Sequence, residues 1–350
     1  MDKSKKCRGG GVRGDFHILI SLENLFSAWR EFKKGKTKNQ DVQAFELNLE
    51  ENTFELHKEL VARSWKPDAY VGFYIRDPKL RHIHKASVRD RVLYQAVFRA
   101  LYPIFDPTFI HDSYSCRVGK GTHRGVVRLE EFLRKASANN AHPVYALKCD
   151  VRKFFDSVCH STLLELIRHR INDHDTQMLV RRIVESFETV SGRGLPLGNV
   201  TSQLFANIYL NELDQFMKHR LIARYYLRYC DDFVVLGESA AELTRHIPRI
   251  SSFLSESLQL VLHPTKVSVR KVSWGVDFLG YVALPRYRVL RASTRRRMFR
   301  NLTAARMKHD VGAMLDETFS ATVNSFRGML THAKGHRLDD QVLRTVGMKS

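Results

Sequence analysis

The chain has 350 residues, with 57 Lys or Arg against 37 Asp or Glu, so its formal net charge is +20 and its pI is near 9.9. This excess indicates a polyanionic partner, nucleic acid first and an anionic membrane second, although a solubilising surface charge would have the same composition. No apolar run reaches the ~18 residues of a membrane span, and the five cysteines lack the C-x-x-C spacing of a zinc site, so the sequence argues against a membrane-spanning protein and against a disulfide or zinc scaffold.

The first third of the chain predicts an arm, several helices and one hairpin. Residues 1–15 are basic and Gly-rich without an apolar signal core, so we expect a flexible arm and a cytoplasmic protein. From Leu19 to Trp65 apolar residues recur at helical spacing, with a capping serine and a glycine stop. Residues 70–87 alternate around an Asp-Pro turn, which is typical of a hairpin, and residues 88–106 predict another helix.

The middle of the chain predicts strands and helices in the order β-α-α-β-β-α-β, which resembles a split βαβ, ferredoxin-like sheet. The first strand, residues 143–150, is apolar and ends in Asp150. A Gly/Pro turn leads into a long helix, and two apolar strands then flank the pair Asp231–Asp232. The following helix is expected to be interrupted by Pro248, and the last 50 residues are expected to be helical.

Asp231 and Asp232 lie between aromatic and β-branched runs, where carboxylates are costly to bury without a compensating partner. Such a pair is often only a solvated turn, but this one lacks the Gly, Asn or Pro that a tight turn favours. A chain reversal there, paired with the strand that ends in Asp150, would gather three carboxylates at one sheet edge. That set suits two Mg²⁺ ions and phosphoryl transfer.

Seven motifs in sequence order resemble those of reverse transcriptases. "RYCDDFVVL" resembles the Y-x-D-D signature, "LKCDVRKFFDSVCHSTLLELI" the first catalytic palm motif and "GLPLGNVTSQLFANIYLNELDQF" the Gly-rich palm motif. "LQLVLHPTKVSV" and "GVDFLGYVAL" resemble the next palm motif and the primer grip. "LRHIHKASVRDRVLYQAV" and "SYSCRVGKGTHRGVVRL" resemble the fingers motifs of bacterial, group-II-intron-like enzymes. The resemblance covers roughly residues 70–285.

The resemblance implies an α+β right-hand polymerase. Fingers with N-terminal helices would span residues 1–145, a catalytic ferredoxin-like palm with an antiparallel sheet residues 146–284, and a basic helical thumb residues 285–350. From Pro285 to Lys308 there are nine basic residues and no acidic one, which suits a helix that follows a template–primer duplex through its phosphates. A solvated helix face accounts for some of these arginines equally well.

By position in the motifs, Asp150, Asp231 and Asp232 are implied to bind two Mg²⁺ ions, with Mn²⁺ as a substitute ion and with help from the main-chain carbonyl of Val151. Lys266 matches the lysine proposed as general acid for the pyrophosphate leaving group. The alternative for Lys266 is a solvated lysine at a strand end.

Nucleotide-binding residues are implied in the same way. Phe155 matches the steric gate that selects dNTPs by clashing with a 2′-hydroxyl, with core packing as its alternative. Lys79 and Arg81 fall where fingers residues contact the triphosphate, and Arg89 and Arg91 are the alternatives. The pocket is completed by Leu197, Gly198, Gln203 and Tyr229, and residues 278–281 would hold the primer end.

One motif departs from the commonest family pattern, Q-G-x-x-x-S-P, because Leu197 replaces its Gln and Gln203 its Pro. This variant resembles the enzymes of diversity-generating retroelements, which copy a template RNA with errors at adenine. Related anti-phage defence enzymes share much of the core. The implied complex is a ribonucleoprotein with a noncoding RNA, its cDNA, dNTPs and an accessory protein or second polymerase subunit, away from membranes. A maturase-like RNA-binding module without polymerase activity stays open as a third role.

Overall fold

The computed structural model of the protein describes residues 15–76, 80–333 and 336–347. The arm predicted at the N-terminus, except for its last residue Asp15, therefore lies outside the described residues. The Asp-Pro turn of the predicted hairpin lies outside them as well. The chain divides into two compact units. Unit 1 comprises residues 1–111, 151–216 and 252–261, and unit 2 comprises residues 112–150, 217–251 and 262–350.

Helices and strands follow one another closely along the described chain. In its first half they are α1 (Phe16–Ile20), α2 (Leu22–Phe32), α3 (Gln40–Leu47), α4 (Leu49–Val61), β1 (Val71–Ile75), β2 (Arg81–Lys85), α5 (Val88–Phe105), α6 (Thr122–Ala136), β3 (Tyr145–Asp150), α7 (Phe154–Ser157), α8 (His160–Arg168) and α9 (His174–Glu185). In its second half they are α10 (Val200–His219), β4 (Tyr225–Tyr229), β5 (Asp232–Gly237), α11 (Ala240–Leu258), β6 (Ser268–Lys271), β7 (Val276–Phe278), β8 (Tyr281–Ala283), β9 (Arg288–Leu290), α12 (Ala292–Asp310), α13 (Asp316–Leu330) and α14 (His336–Thr345).

Unit 1 is built on helices α1 to α5 and carries the predicted hairpin, β1 paired antiparallel with β2. Ser21 caps α2 as expected, since its hydroxyl accepts a hydrogen bond from the Asn24 amide. Trp29 and Trp65 are 1% exposed, and the Trp65 indole donates to the carboxylate of Asp90 on α5. These large aromatic groups supply much of the apolar burial that holds the helices together.

Unit 2 contains a four-stranded antiparallel sheet in the order β4-β5-β3-β6. The first strand of this sheet in the chain, β3, lies next to the last, β6. This is the strand order of a split βαβ, ferredoxin-like sheet. The prediction of an α+β fold with an antiparallel, ferredoxin-like sheet is confirmed. Asp150 at the end of β3 pairs in register with Asp232 at the start of β5.

A second sheet of unit 2, β7-β8-β9, shares one apolar core with α6, the larger sheet and the C-terminal helices. Phe278, Leu302 and Val342 are each at most 1% exposed in this core. The C-terminal region is helical, as expected. The division into fingers, palm and thumb at residues 145 and 284 stays a prediction.

One local expectation needs correction. Helix α11 continues through Pro248 instead of being interrupted there, because its apolar face is buried at Leu243 and Ile250, which offsets the lost hydrogen bond of the proline. Helix α9 was not singled out in the sequence, although its apolar residues lie on one face. No helix in the described ranges is long and apolar enough to cross a membrane.

Candidate active site

The site is built on the β4–β5 hairpin, whose two-residue tip is Cys230–Asp231. Cys230 adopts a left-handed φ of 53°, a conformation that costs a residue with a Cβ about 1–2 kcal/mol. Arg228, fully buried, supports the tip by donating to the Cys230 carbonyl and to Ser113 Oγ, each at 3.1 Å. Sequence reasoning missed this arginine, whose only signal was a charge inside an apolar strand.

Three carboxylates meet at one edge of the sheet, as the sequence analysis expected. Asp232 begins β5 directly after the tip, and Asp150 lies opposite it on β3. The end of β3 is held in place because the His263 amide donates to the Asp150 carbonyl at 2.7 Å. Asp231 lies close enough to Asp150 for the two charges to repel. The hairpin prediction is therefore confirmed, and the fold brings the three side chains together.

These carboxylates are under electrostatic stress. The pKa of Asp232 is raised to about 6, chiefly by burial, against a lowering effect from Lys148 and with smaller raising contributions from the charges of Asp150 and Asp231. Burial also raises the pKa of Asp231, and the charge of Asp150 adds to the effect. Ionised carboxylates so placed require a positive counter-charge.

Two lysines supply counter-charge in this structure. Lys266 Nζ lies 2.7 Å from Asp150 Oδ1, which places the predicted general acid beside the carboxylates. Lys148 Nζ lies 3.3 Å from Asp232 Oδ2. Sequence reasoning missed Lys148, although its position two residues before Asp150 puts both side chains on the same face of β3.

The site suits a divalent metal in its chemistry. Oδ1 of Asp232 is buried and has no hydrogen-bond partner among the described residues, so it has a free acceptor for a cation. Among the described residues, no three or more His, Cys, Asp or Glu side chains are arranged so that they could hold a metal ion by themselves. Mg²⁺ is commonly bound by one or two protein carboxylates and takes further oxygens from water and substrate phosphates. The expected ligands are Asp150, Asp231, Asp232 and the carbonyl of Val151, the next residue in the chain.

The expected steric gate lies in unit 1. Phe155 is half-buried, whereas its neighbour Phe154 is 2% exposed and packs edge-on to it at 5.3 Å between ring centroids. The Phe155 carbonyl accepts a 2.7 Å hydrogen bond from the Leu195 amide, which fixes the backbone. Phe154 is therefore a core residue, and Phe155 keeps part of its ring accessible.

Other predicted nucleotide-binding residues line one cavity of unit 1. This cavity of about 670 Å³ contains Arg81 and Leu197 together with Lys153 and two histidines of β2. The Leu197 carbonyl accepts a hydrogen bond from His84 at 3.4 Å. Gly198 has φ of 118° and a Cβ there would lie 3.4 Å from Ile83, so a glycine is favoured.

The remaining described residues that were predicted for the nucleotide pocket do not line this cavity. Gln203 is exposed in the first turn of α10, and Lys79 lies outside the described residues. In unit 2, Tyr229 is half-buried and its hydroxyl accepts a 3.4 Å hydrogen bond from Thr122.

The alternatives for triphosphate contact, Arg89 and Arg91, are used in packing of unit 1. Arg89 binds Glu59 at 3.1 Å and the Lys66 carbonyl at 2.7 Å, and Arg91 binds Asp41 at 2.5 Å. Arg81, by contrast, forms no ion pair with another described residue. We therefore retain Arg81 as the candidate.

The predicted primer-holding segment is the β7–β8 turn of unit 2. Phe278 and Tyr281 are 1% and 3% exposed, and the Tyr281 hydroxyl donates to the Met329 carbonyl. The aromatic rings therefore belong to the core, and Leu279 and Gly280, both half-buried with left-handed φ, form the turn that a primer would meet. On α12, Arg295, Arg296 and Arg300 are exposed, and Arg297 is half-buried.

Comparison with known proteins gives one family. The family described as "Reverse transcriptase (RNA-dependent DNA polymerase)" matches residues 68–283, more than half of the chain. "Protein YkfC" of Escherichia coli K12 is 26% identical over 288 residues, which is 71% of this chain and 73% of that protein.

Two further similarities cover less of the other protein. "Group II intron-encoded protein LtrA" of Lactococcus lactis subsp. cremoris is 25% identical over 217 residues, 59% of this chain and 34% of LtrA, so the chain spans about a third of that relative. The solved telomerase of Candida albicans, bound to a fragment of telomeric RNA, has a TM-score of 0.49 at 11% identity, over 82% of this chain and 60% of that chain.

Proposed function

Because the chain belongs to the reverse transcriptase (RNA-dependent DNA polymerase) family, we propose that it copies a dedicated noncoding RNA into cDNA with dNTPs. The general activity, RNA-directed DNA polymerisation, follows from the family. The observation that supports the site assignment is the gathering of Asp150, Asp231 and Asp232 at one sheet edge. An RNA-binding module without activity would have no need of three half-buried carboxylates in this arrangement.

Each side chain has a proposed task. Two Mg²⁺ ions, when bound, would stabilise charge on the attacking and leaving oxygens of phosphoryl transfer. The three aspartates would hold the cations, and Lys266, which lies 2.7 Å from Asp150, would be placed to protonate the pyrophosphate. Arg81 contributes positive charge for the triphosphate, and Phe155 limits the space at the sugar.

The partners follow from charge and chemistry. A net charge of +20 favours binding of template RNA and of the cDNA product through their phosphates. We place the enzyme in a cytoplasmic ribonucleoprotein with an accessory protein or second polymerase subunit. The four cysteines of the described chain are free thiols, which fits a reducing compartment.

The biological role is proposed from the motif that departs from the common pattern. Leu197 and Gln203 in "LGNVTSQ" favour a diversity-generating retroelement, in which copying is error-prone at adenine. The second candidate is an anti-phage defence enzyme that makes cDNA from a noncoding RNA. The third candidate is an RNA-binding, maturase-like role, and the similarity to LtrA, a group II intron-encoded protein, is the reason to keep it.

Substitution of the carboxylates tests the proposal. In a dNTP-incorporation assay on a primed RNA, Asp150→Asn and Asp231→Asn are expected to abolish synthesis while RNA binding stays within severalfold of wild type. Both substitutions keep the side-chain shape but remove the charge that binds the cations, and metal catalysis supplies many kcal/mol. Substantial synthesis by either variant would remove the aspartates from the active site, and no synthesis by the wild type would favour the RNA-binding role.

A further inference from the structure

Lys148 lies beside the three carboxylates, and no motif assigns it a role. It is on β3, two residues before Asp150, so both side chains lie on the same face of the sheet. Its ammonium group lies 3.3 Å from Asp232 Oδ2 and donates a 2.8 Å hydrogen bond to the main-chain carbonyl of Asp277. A flexible lysine held by two acceptors from different sheets is fixed in position.

The two oxygens of Asp232 have different surroundings. Oδ2 is paired with Lys148, whereas Oδ1 is buried and has no partner within the described residues. An unpaired buried acceptor is unfavourable in a protein unless a ligand completes it. With Lys148 holding Oδ2, the carboxylate cannot rotate freely, and Oδ1 remains available to a cation.

The lysine is anchored from its other side as well. Asp277 belongs to β7, and its carboxylate is bound by Arg291, with Nε at 2.6 Å from Oδ1. Arg291 is the N-cap residue of α12, and its amide donates to the Gly280 carbonyl in the β7–β8 turn at 2.9 Å. All of these residues are in unit 2. The position of Lys148 is therefore set by the β7–β8 hairpin and not by β3 alone.

We propose that Lys148 is a positioning residue that orients Asp232 so that Oδ1 faces a bound divalent cation. The inference rests on the proposed function, because it takes Asp232 as a metal ligand. Hydrogen-bond partners that orient metal ligands commonly change metal affinity or activity by about 10- to 100-fold when they are removed. The positive charge of Lys148 by itself would weaken the binding of a cation, so its removal would strengthen binding. The pairing of Lys148 with Oδ2 of Asp232 already offsets that charge.

Metal binding without nucleic acid separates these two effects. Mn²⁺ binding, measured from the electron spin resonance of free Mn²⁺, is compared for wild type, Lys148→Met, Lys148→Arg and Lys271→Met. Lys271 is exposed on the neighbouring strand β6, so its replacement makes the same change in charge away from the carboxylates. We expect about tenfold weaker binding or more for Lys148→Met, with Lys148→Arg and Lys271→Met near wild type.

Steady-state kinetics on a primed RNA give the second measurement. For Lys148→Met we expect a lower kcat, an unchanged KM for dNTP and a higher Mg²⁺ concentration at half-maximal rate. If that variant does not fold, as judged by circular dichroism, Lys148→Gln replaces it, since its shorter side chain cannot reach both acceptors.

The outcomes distinguish this inference from the proposed function. Equal or tighter Mn²⁺ binding by Lys148→Met, with normal synthesis by the wild type, would show that the lysine acts only as a charge and would overturn the inference alone. Loss of affinity in Lys271→Met to the same extent would also overturn it. Absence of synthesis by the wild type would overturn the proposed function instead.

Discussion

At the scale of single residues, Asp232 shows a conflict between folding and function. Its pKa is raised to about 6, mainly by burial, so the ionised form that binds a cation is unfavourable in the metal-free fold. In the folded state the group binds its proton more tightly than in the unfolded chain. Stability contributed by the protonated form is therefore present at low pH and is lost as the pH rises from about 4 to about 6.

Replacement of Asp232 by Asn should remove the loss of stability that accompanies ionisation of its carboxyl group. At pH 7.5 in EDTA, Asp232→Asn is expected to raise the free energy of unfolding by up to about 3 kcal/mol, and by less at pH 5, since each pKa unit corresponds to about 1.4 kcal/mol. The amide oxygen still accepts a hydrogen bond from Lys148. Thermal unfolding at both pH values measures the difference, with the exposed Asp340→Asn as control. A difference that is the same at both pH values would contradict the assignment.

Phe155 and its neighbour form a natural pair for testing sugar selection. Phe155→Ala is expected to raise incorporation of rNTPs relative to dNTPs several-fold, because the ring that would clash with a 2′-hydroxyl is removed. The control is Phe154→Leu, since Phe154 is buried and should affect stability without changing the ratio. Competition between rNTP and dNTP on one primed RNA measures it. An unchanged ratio in Phe155→Ala would assign that ring to the core.

At the scale of helices and strands, local sequence patterns predicted the elements of the site, but the contacts between distant residues that support them could not be predicted. The β4–β5 hairpin and strand β3 were predictable because apolar runs ending in aspartates are readable along the chain. The support of the hairpin by the contact between Arg228 and Ser113 could not be predicted, because these two residues are 115 positions apart in the chain. The contact of Lys148 with Asp277 spans 129 positions and is equally invisible to periodicity.

Pro248 and α9 show that local sequence patterns also predict helix boundaries incompletely. A proline in the sequence predicts a break, but tertiary burial of the flanking apolar residues keeps α11 continuous. Helix α9 is rich in charged residues but has its apolar residues on one face, and Leu179, Val180 and Ile183 of that face are buried in the fold. Element boundaries here depend on partners and not on propensity alone.

Helix α12 allows a prediction about nucleic-acid binding. Neutralising Arg295, Arg296 and Arg297 to Gln is expected to flatten the plot of log K against log salt for a template–primer duplex by up to ~2, since each phosphate contact contributes ~0.9. Arg295 and Arg296 are exposed and free to meet phosphates, which is why the expected change corresponds to two contacts and not three.

A matched variant separates local contact from total charge. Gln at Arg245, Arg249 and Lys271 removes the same three charges from exposed positions of α11 and β6. We expect its salt slope to stay near that of wild type. Equal slopes for both triple variants would mean that α12 acts only through the net charge of the protein.

At the scale of the whole molecule, charge and family membership account for the general activity but leave the biological role to the error spectrum. A net charge of +20 binds any nucleic acid and carries no sequence information. A diversity-generating enzyme must misincorporate at template adenine, whereas a defence enzyme has no such requirement. The spectrum of errors in the cDNA is therefore the property that separates the two proposed roles.

Leu197 is the residue through which we expect that property to be adjustable. It lines the same cavity as Arg81, and the commonest reverse transcriptase pattern that its motif resembles has a Gln at this position, which would be able to hydrogen-bond near the incoming nucleotide. One hydrogen bond contributes about 0.5–1.5 kcal/mol, and fidelity is a difference of transition-state free energies, so a several-fold change is the expected scale. Leu197→Gln should lower misincorporation, most of all opposite adenine.

Sequencing of cDNA made by wild type and Leu197→Gln on one RNA template measures the effect, with Leu197→Met as a control that keeps an apolar side chain of similar volume. Identical spectra for wild type and Leu197→Gln would show that this position does not set selectivity. A low adenine error rate in the wild type would favour the defence role. A high rate that falls in Leu197→Gln but not in Leu197→Met would favour the diversity-generating role, since only the restored hydrogen-bonding group distinguishes the two variants.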